Sequence, residues 1–304
     1  MVDSSQTRLA SIAEVTYGTT PSSPTFLEQR FTSEGLNANI ENVVSNEIRA
    51  DRNVSDLVQV GSSAGGPVAF ELSYGSFEDW LESLMFSTWS SNVLKNGNTQ
   101  KSFTLEKTFE GGATDQYHRF TGAVADTMTL SIQSQQIVTG SFGFLAKEAV
   151  ISQTAIASSS YTGVNANPVI NAAANFASLA ITGVTGPELT QLNLNVRNNL
   201  RQQQVVGSVS PRGVGAGRFE VDGDFIAYFE NEELYDLFIA GTGADLSFIL
   251  GGASTKKYQF DIANLKFETG EVTTGGNDQD MFVNMSFRGL YDGTDNTLEI
   301  TRTP

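Results

Sequence analysis

The chain has 304 residues and a formal charge of −16, with no cysteine and one histidine. The absence of Cys excludes a disulfide framework, a zinc ribbon, an iron–sulfur cluster and a thiol nucleophile, and leaves His118 as the one imidazole for a metal or a base. Charged residues make up 17% against the roughly 25% usual in soluble domains, and the acidic balance argues against wrapping nucleic acid by neutralising phosphates.

Met1 to Gln6 carry neither a basic nor an apolar region, so no export signal is expected. Tyr17-Gly18-Thr19-Thr20-Pro21-Ser22-Ser23-Pro24 excludes regular helix, because proline fixes φ and biases the preceding residue to extended geometry. This stretch reads as an extended arm lying across a neighbour, or as a surface loop. Alternation of apolar and polar residues predicts strands at Val68–Tyr74, Ser102–Glu106 and Thr127–Ile132. Between the first two, Ser76 opens a predicted helix with Asp79 three residues on. Phe77, Trp80, Leu81, Leu84 and Met85 share one face of it.

From Ser152 to about Asn175 the chain is rich in Ser, Ala, Asn and Thr and lacks periodicity, which reads as a linker. The longest mildly apolar run, Ala172–Ile181, is broken by Asn175 and Ser178, far short of the ~18 residues of a spanning helix. No membrane partner is expected, and folding in a cytoplasm is. Strand alternation resumes at Leu192–Val196, Tyr258–Ile262 and Phe282–Phe287. A second helix is predicted from Asn231, with Glu232 and Glu233 in the first turn and Gly241 as its stop. Strands with one apolar and one polar face predict a mainly β fold of antiparallel sheets.

The two helices suggest a tandem duplication. Tyr74 and Tyr228 precede them, with Asn46-Glu47-Ile48-Arg49 and Asn198-Asn199-Leu200-Arg201 further upstream. Ser102-Phe103-Thr104-Leu105 and Ser247-Phe248-Ile249-Leu250 follow, then Ser141-Phe142-Gly143 and Ser286-Phe287-Arg288. The same order recurs about 145 to 154 residues later. The expected organisation is residues 1–35 as an N-terminal arm and first strands, 36–151 as a first module, 152–178 as a linker and 179–304 as a second module.

Candidate chemistry is sparse. The glycine loop Arg212–Arg218 runs into the strand-like Phe219-Glu220-Val221, so the helix N-terminus that a phosphate loop needs is missing. Asp278-Gln279-Asp280 and Asp292-Gly293-Thr294-Asp295-Asn296 lack the spacing of a calcium loop. The pairs Glu78/Asp79 and Glu232/Glu233 sit in helix first turns, where the dipole accounts for them. His118 lies inside an apparent strand and reads as structural. No catalytic residue, metal ligand or cofactor site is expected.

One stretch resembles a known family. Glu14-Val15-Thr16-Tyr17-Gly18-Thr19-Thr20-Pro21 stands upstream of Ser45-Asn46-Glu47-Ile48-Arg49-Ala50-Asp51-Arg52, followed by a Gly-Pro/Val strand and the helix at Phe77–Leu81. This succession of an arm, a Ser-x-Glu-Ile-x-x-x-Arg strand and a short acidic-capped helix resembles the tail tube (major tail) proteins of long, non-contractile bacteriophage tails. The second half departs from it, with Gln202-Gln203-Gln204 where Ala50-Asp51-Arg52 would be. The resemblance implies an antiparallel β-sandwich with a flanking helix, joined edge to edge into rings that stack into a tube. Two modules per chain would make a trimeric, pseudo-hexameric ring, with a true hexamer as the alternative. It also implies tape-measure and tail terminator or tip proteins as partners, and genomic DNA as passing cargo. Tyr17, Pro21, Glu47, Arg49, Asp51 and Arg52 are then the candidates for subunit contacts. A β-rich carbohydrate-binding, adhesin or virion decoration module, or a two-carboxylate glycosidase, are the other readings of such a chain.

Overall fold

The computed structural model describes residues 3–291, 293–294 and 296–304. Asp292 and Asp295, two of the oxygen donors considered above, lie outside the described residues. Strands β1 (Thr7–Ala13), β2 (Thr25–Glu28), β3 (Ser33–Glu34), β4 (Asn37–Val44) and β5 (Leu57–Glu71) lead into helix α1 (Glu78–Met85). Next come β6 (Val93–Lys95), β7 (Phe103–Phe109), β8 (Gln116–Gln133), β9 (Thr139–Ala146), β10 (Glu148–Ser152) and β11 (Ser160–Thr162). The second half holds β12 (Phe176–Ile181), β13 (Leu189–Arg197), β14 (Arg201–Gln203), β15 (Gly213–Gly215) and β16 (Glu220–Tyr228). Helix α2 (Glu233–Ala240) separates these from β17 (Ala244–Gly251), β18 (Lys257–Thr273), β19 (Phe282–Gly289) and β20 (Glu299–Thr303). The fold is mainly β and antiparallel, as the alternation predicted. One pairing, β11 with β2, is parallel.

Two long strands organise it. The first half of β8 pairs with β7 and β10, and its second half pairs with β9 and β13. Strand β18 repeats this, with β17 and β20 along its first half and β19 along its second. Each long strand passes from one layer to the other through two register shifts, near Phe120–Thr127 in β8 and near Ile262–Thr269 in β18. Extra residues at such bulges bend and twist a strand, which lets it turn a corner between layers.

Six pairings of the first half have counterparts in the second. The first half contains β1–β7, β7–β8, β10–β8, β8–β9, β5–β9 and β4–β5. The second contains β12–β17, β17–β18, β20–β18, β18–β19, β16–β19 and β13–β16. The helix follows the equivalent strand each time, β5 or β16. Gly66 and Gly223 also correspond, since a Cβ on either would lie 2.1 Å from Gly35 O or 2.3 Å from Asn193 O.

Because β8 also pairs with β13, the halves share one antiparallel sheet with the order β4–β5–β9–β8–β13–β16–β19–β18, in which β3 extends β4. Its apolar face meets a core that runs through both halves, from Leu9 and Trp80 to Phe287 and Ile300. Trp80 stands edge-on to Phe142 and Phe144 at 5.5 and 4.9 Å. Tyr258 of β18 donates to Glu78 Oε1 and accepts from Gly75 N, tying the second half to the start of α1. The predicted linker adds β11 beside β2, where Tyr161 stacks on Phe26.

The helix caps differ in detail from the sequence pattern. Ser76 bonds Ser73 through their hydroxyls and leaves the N-cap of α1 to Phe77, so the Ser76/Asp79 box does not form. Asn231 Oδ1 accepts from Glu233 N, and Gly241 closes α2 in the left-handed conformation as expected.

Candidate functional surface

The second face of the eight-stranded sheet is polar almost throughout. Residues opposite one another across neighbouring strands project to the same side, so each cross-strand row can be followed by register. One row runs Ser33, Ala69, Ser141, Thr129, Asn195, Asp222, Arg288 and Lys266, crossing all eight strand positions. The next runs Glu71, Thr139, Ser131, Asn193, Asp224, Ser286 and Thr269. Short side chains bond sideways along these rows. Ser131 Oγ donates to Asn193 Oδ1 at 2.9 Å, and Asn193 Nδ2 donates to Asp224 Oδ2 at 2.9 Å. Asn195 Nδ2 donates to Asp222 Oδ1 at 3.1 Å, and the Thr269 and Ser286 hydroxyls are 2.6 Å apart.

The face is also acidic. Glu71, Glu220, Asp222, Asp224, Glu268 and Glu271 outnumber Arg197, Lys266 and Arg288. Arg197 pairs with Asp222, and Arg288 with Glu268, so two of the three cations are neutralised in place. Such part-exposed pairs contribute only about 0–1 kcal/mol each to stability, and their effect is mainly on the field above the sheet.

The six interface candidates fall in two places. Tyr17 lies in a turn folded onto its own half, built around Glu14, whose carboxylate accepts from Gly18 N, Ser102 Oγ, Thr104 Oγ1 and Gly122 N. Burial, helped by the Glu14 charge, pushes the Tyr17 hydroxyl up to about 12. Pro21 is half-buried one residue past Thr20, whose hydroxyl is 2.9 Å from that of Thr104. Glu47, Arg49, Asp51 and Arg52 sit together at the tip of the β4–β5 hairpin. The Ser45–Arg52 stretch, read above as strand, is a loop closed by Arg49, which donates to both carboxylate oxygens of Asp51 at 3.1 and 2.9 Å. That bond holds the Asp51 carboxyl down at about 2.

Sequence reasoning missed the shaft of this hairpin. Ile40, Val43 and Val44 of β4 and Leu57, Val58 and Val60 of β5 are all exposed. Clustered exposed apolar side chains on a projecting ribbon mark a contact surface. Their β-branched run was the available signal, hidden because alternation at Val68–Tyr74 drew the strand start too late.

Among the described residues, no group of three or more His, Cys, Asp or Glu is placed to hold a metal ion. No helix of the described residues is long and apolar enough to cross a membrane. Comparison with known families finds a match to the phage tail tube protein model over residues 4–289. No curated protein matches the chain.

Proposed function

The chain belongs to the phage tail tube protein family, and from that premise we propose that it closes into rings which stack into the tube through which the genome leaves the virion. The observation that carries this reading is the predominantly polar, acidic face of the eight-stranded sheet. Turned inward, it would give a channel wall mostly of short, laterally bonded side chains, with Ile226, Tyr228 and Phe282 grouped at one end of the strands. Its excess carboxylates repel phosphates, and with a Debye length of about 8 Å at physiological salt that repulsion acts close to the wall. DNA is then cargo that passes without specific binding.

The matched pairings, bulges and glycines support a tandem duplication, with two tube modules per chain and a trimeric, pseudo-hexameric ring. The β4–β5 hairpin, with its apolar shaft and with Glu47, Arg49, Asp51 and Arg52 at its tip, suits a contact with the adjacent ring, and the Tyr17–Pro21 turn a second one. Tape-measure and terminator or tip proteins complete the tail, which assembles in the host cytoplasm. Negative-stain microscopy and native mass measurement of concentrated protein test the reading. Rings of three chains around a central hole are expected. Six full chains per ring would overturn the trimer, and dispersed particles at all concentrations would overturn the tube.

A further inference from the structure

We propose that the two open ends of the eight-stranded sheet join between copies of this chain, Thr269–Thr273 of one copy lying antiparallel to Gly35–Asn39 of the next, with Glu271 opposite Asn37. This rests on the ring-forming reading and adds which edges meet and in what register.

The chain contains its own template for the contact, the internal junction between β8 and β13. That junction sets Thr129 opposite Asn195 and Met128 opposite Val196. The bulges align β8 with β18: the shift between Ala125 and Thr127 corresponds to that between Phe267 and Thr269. Thr129 therefore corresponds to Glu271. The glycines align β13 with β4, because Gly223 abuts Asn193 O as Gly66 abuts Gly35 O. Asn195 therefore corresponds to Asn37. At one end of the shared sheet Lys266–Thr273 pairs only with β19, and at the other β4 pairs only with β5, among the described residues. The internal junction joins the same two kinds of edge.

The helices supply a second observation. Both have eight residues and end in a left-handed cap, so Trp80 corresponds to Tyr235 and Leu84 to Ile239. Trp80 and Leu84 are 0% exposed, whereas Tyr235 is 37% and Ile239 65% exposed. Trp80 is covered within its own half, by Phe142 and Phe144, whereas the end of α1 at Leu84 is met from the junction. Asn198, just after β13, donates to Leu84 O at 2.8 Å and Ala125 O at 2.9 Å, closing the first half over the end of α1. The position of Asn198 corresponds to Ile40, which is exposed beside Val43 on β4. A neighbouring copy's β4 would bring those apolar side chains to α2.

The backbone is prepared for the exchange. Gly35 N donates inward to Pro67 O, so Leu36 N and Ala38 N point outward. In the single chain they donate to the side chains of Glu34 and Asn37 at 3.0 and 2.9 Å. Self-capping of this kind guards an open edge against stray pairing. The two edges differ from each other, so the contact is head-to-tail and its repetition closes a ring.

The chain has no cysteine, which makes the register directly testable. Asn37 and Glu271 would form a non-hydrogen-bonded pair, with Cα atoms about 4.5 Å apart and within reach of a disulfide. An Asn37→Cys chain mixed with a Glu271→Cys chain and oxidised should yield a linked two-chain species. Mixtures of Asn37→Cys with Thr269→Cys or Thr273→Cys should stay at the background of the single variants. Ile239→Lys should lose ring assembly without a shift in the thermal unfolding of the isolated chain. Rings that form without the 37–271 link, that link in a displaced register, or that tolerate Ile239→Lys overturn the inference and leave the tube reading standing. Absence of both rings and links overturns both.

Discussion

Glu106 on β7 is fully buried and takes hydrogen bonds from Arg119 Nε at 2.7 Å and from the Tyr161 hydroxyl. Arg8 lies over the Tyr161 ring at 3.8 Å, so the segment between the halves is clamped to the first one by charge as well as by stacking. Burial, then the bond to Glu106, raises the Tyr161 hydroxyl to about 12, so it remains a donor throughout the working pH range. His118 lies on the same layer, edge-on to Phe109 at 5.2 Å. Burial and then the Lys107 charge lower its pKa below 6.5, partly opposed by Glu34. The folded chain therefore binds this proton less readily than the unfolded chain. The stability contributed by neutral His118 is complete above 6.5 and is lost as pH falls from there through the lowered folded value. Its imidazole resonance, the only one in the chain, should titrate with a midpoint below 6.5; a midpoint at or above that value contradicts the assignment. The sequence placed His118 in a strand correctly, but the charges facing it come from other strands, Lys107 across the β7–β8 pairing and Glu34 of β3.

At the scale of elements, the two helices are alike in length and ending but not in burial. The spacing of Phe77, Trp80, Leu81, Leu84 and Met85 was legible because a helix must bury one stripe, and all five are buried. In α2 the apolar residues Leu234, Tyr235, Leu237 and Phe238 fall at i, i+1, i+3 and i+4, yet of its residues only Leu234 is buried. Trp80→Ala should cost about 3–5 kcal/mol, the range for truncating a large buried aromatic. Tyr235→Ala in the unassembled chain should change stability by about 0.5 kcal/mol or less, as for most surface positions. Denaturant unfolding of both variants measures the contrast, and equal losses would refute it. The hairpin tip was misread for a local reason. Glu47-Ile48-Arg49 alternates as a strand does, but the Arg49–Asp51 bond folds the chain back before a partner strand can pair.

At the scale of the whole molecule, the polar face exists only because β8 and β13 join the two halves into one sheet. Glu71 and Glu220 stand on it, far apart in sequence and on opposite sides of that junction. Assembled tubes carrying Glu71→Lys and Glu220→Lys should retain short duplex DNA at low salt and release it as salt rises. Each phosphate neutralised by a new lysine should steepen the dependence of log affinity on log salt by about 0.9. Native tubes should pass the same DNA unretained. Equal retention by both would place the channel wall on another surface.

What the sequence determined by itself was the class of protein. Period-2 alternation fixes which side of a strand is apolar, and the missing cysteines and lone histidine leave little reactive chemistry. The arm, the charged stretch and the short helix were enough to suggest the family, because each is a local pattern. Tertiary structure alone decided which strands are neighbours, and hence that the acidic residues gather on one face and that Ile239 lies open where Leu84 is covered. Strand pairing is non-local: a strand's pattern states that it needs a partner and on which side its core lies, but not which strand, in this chain or another, supplies the hydrogen bonds.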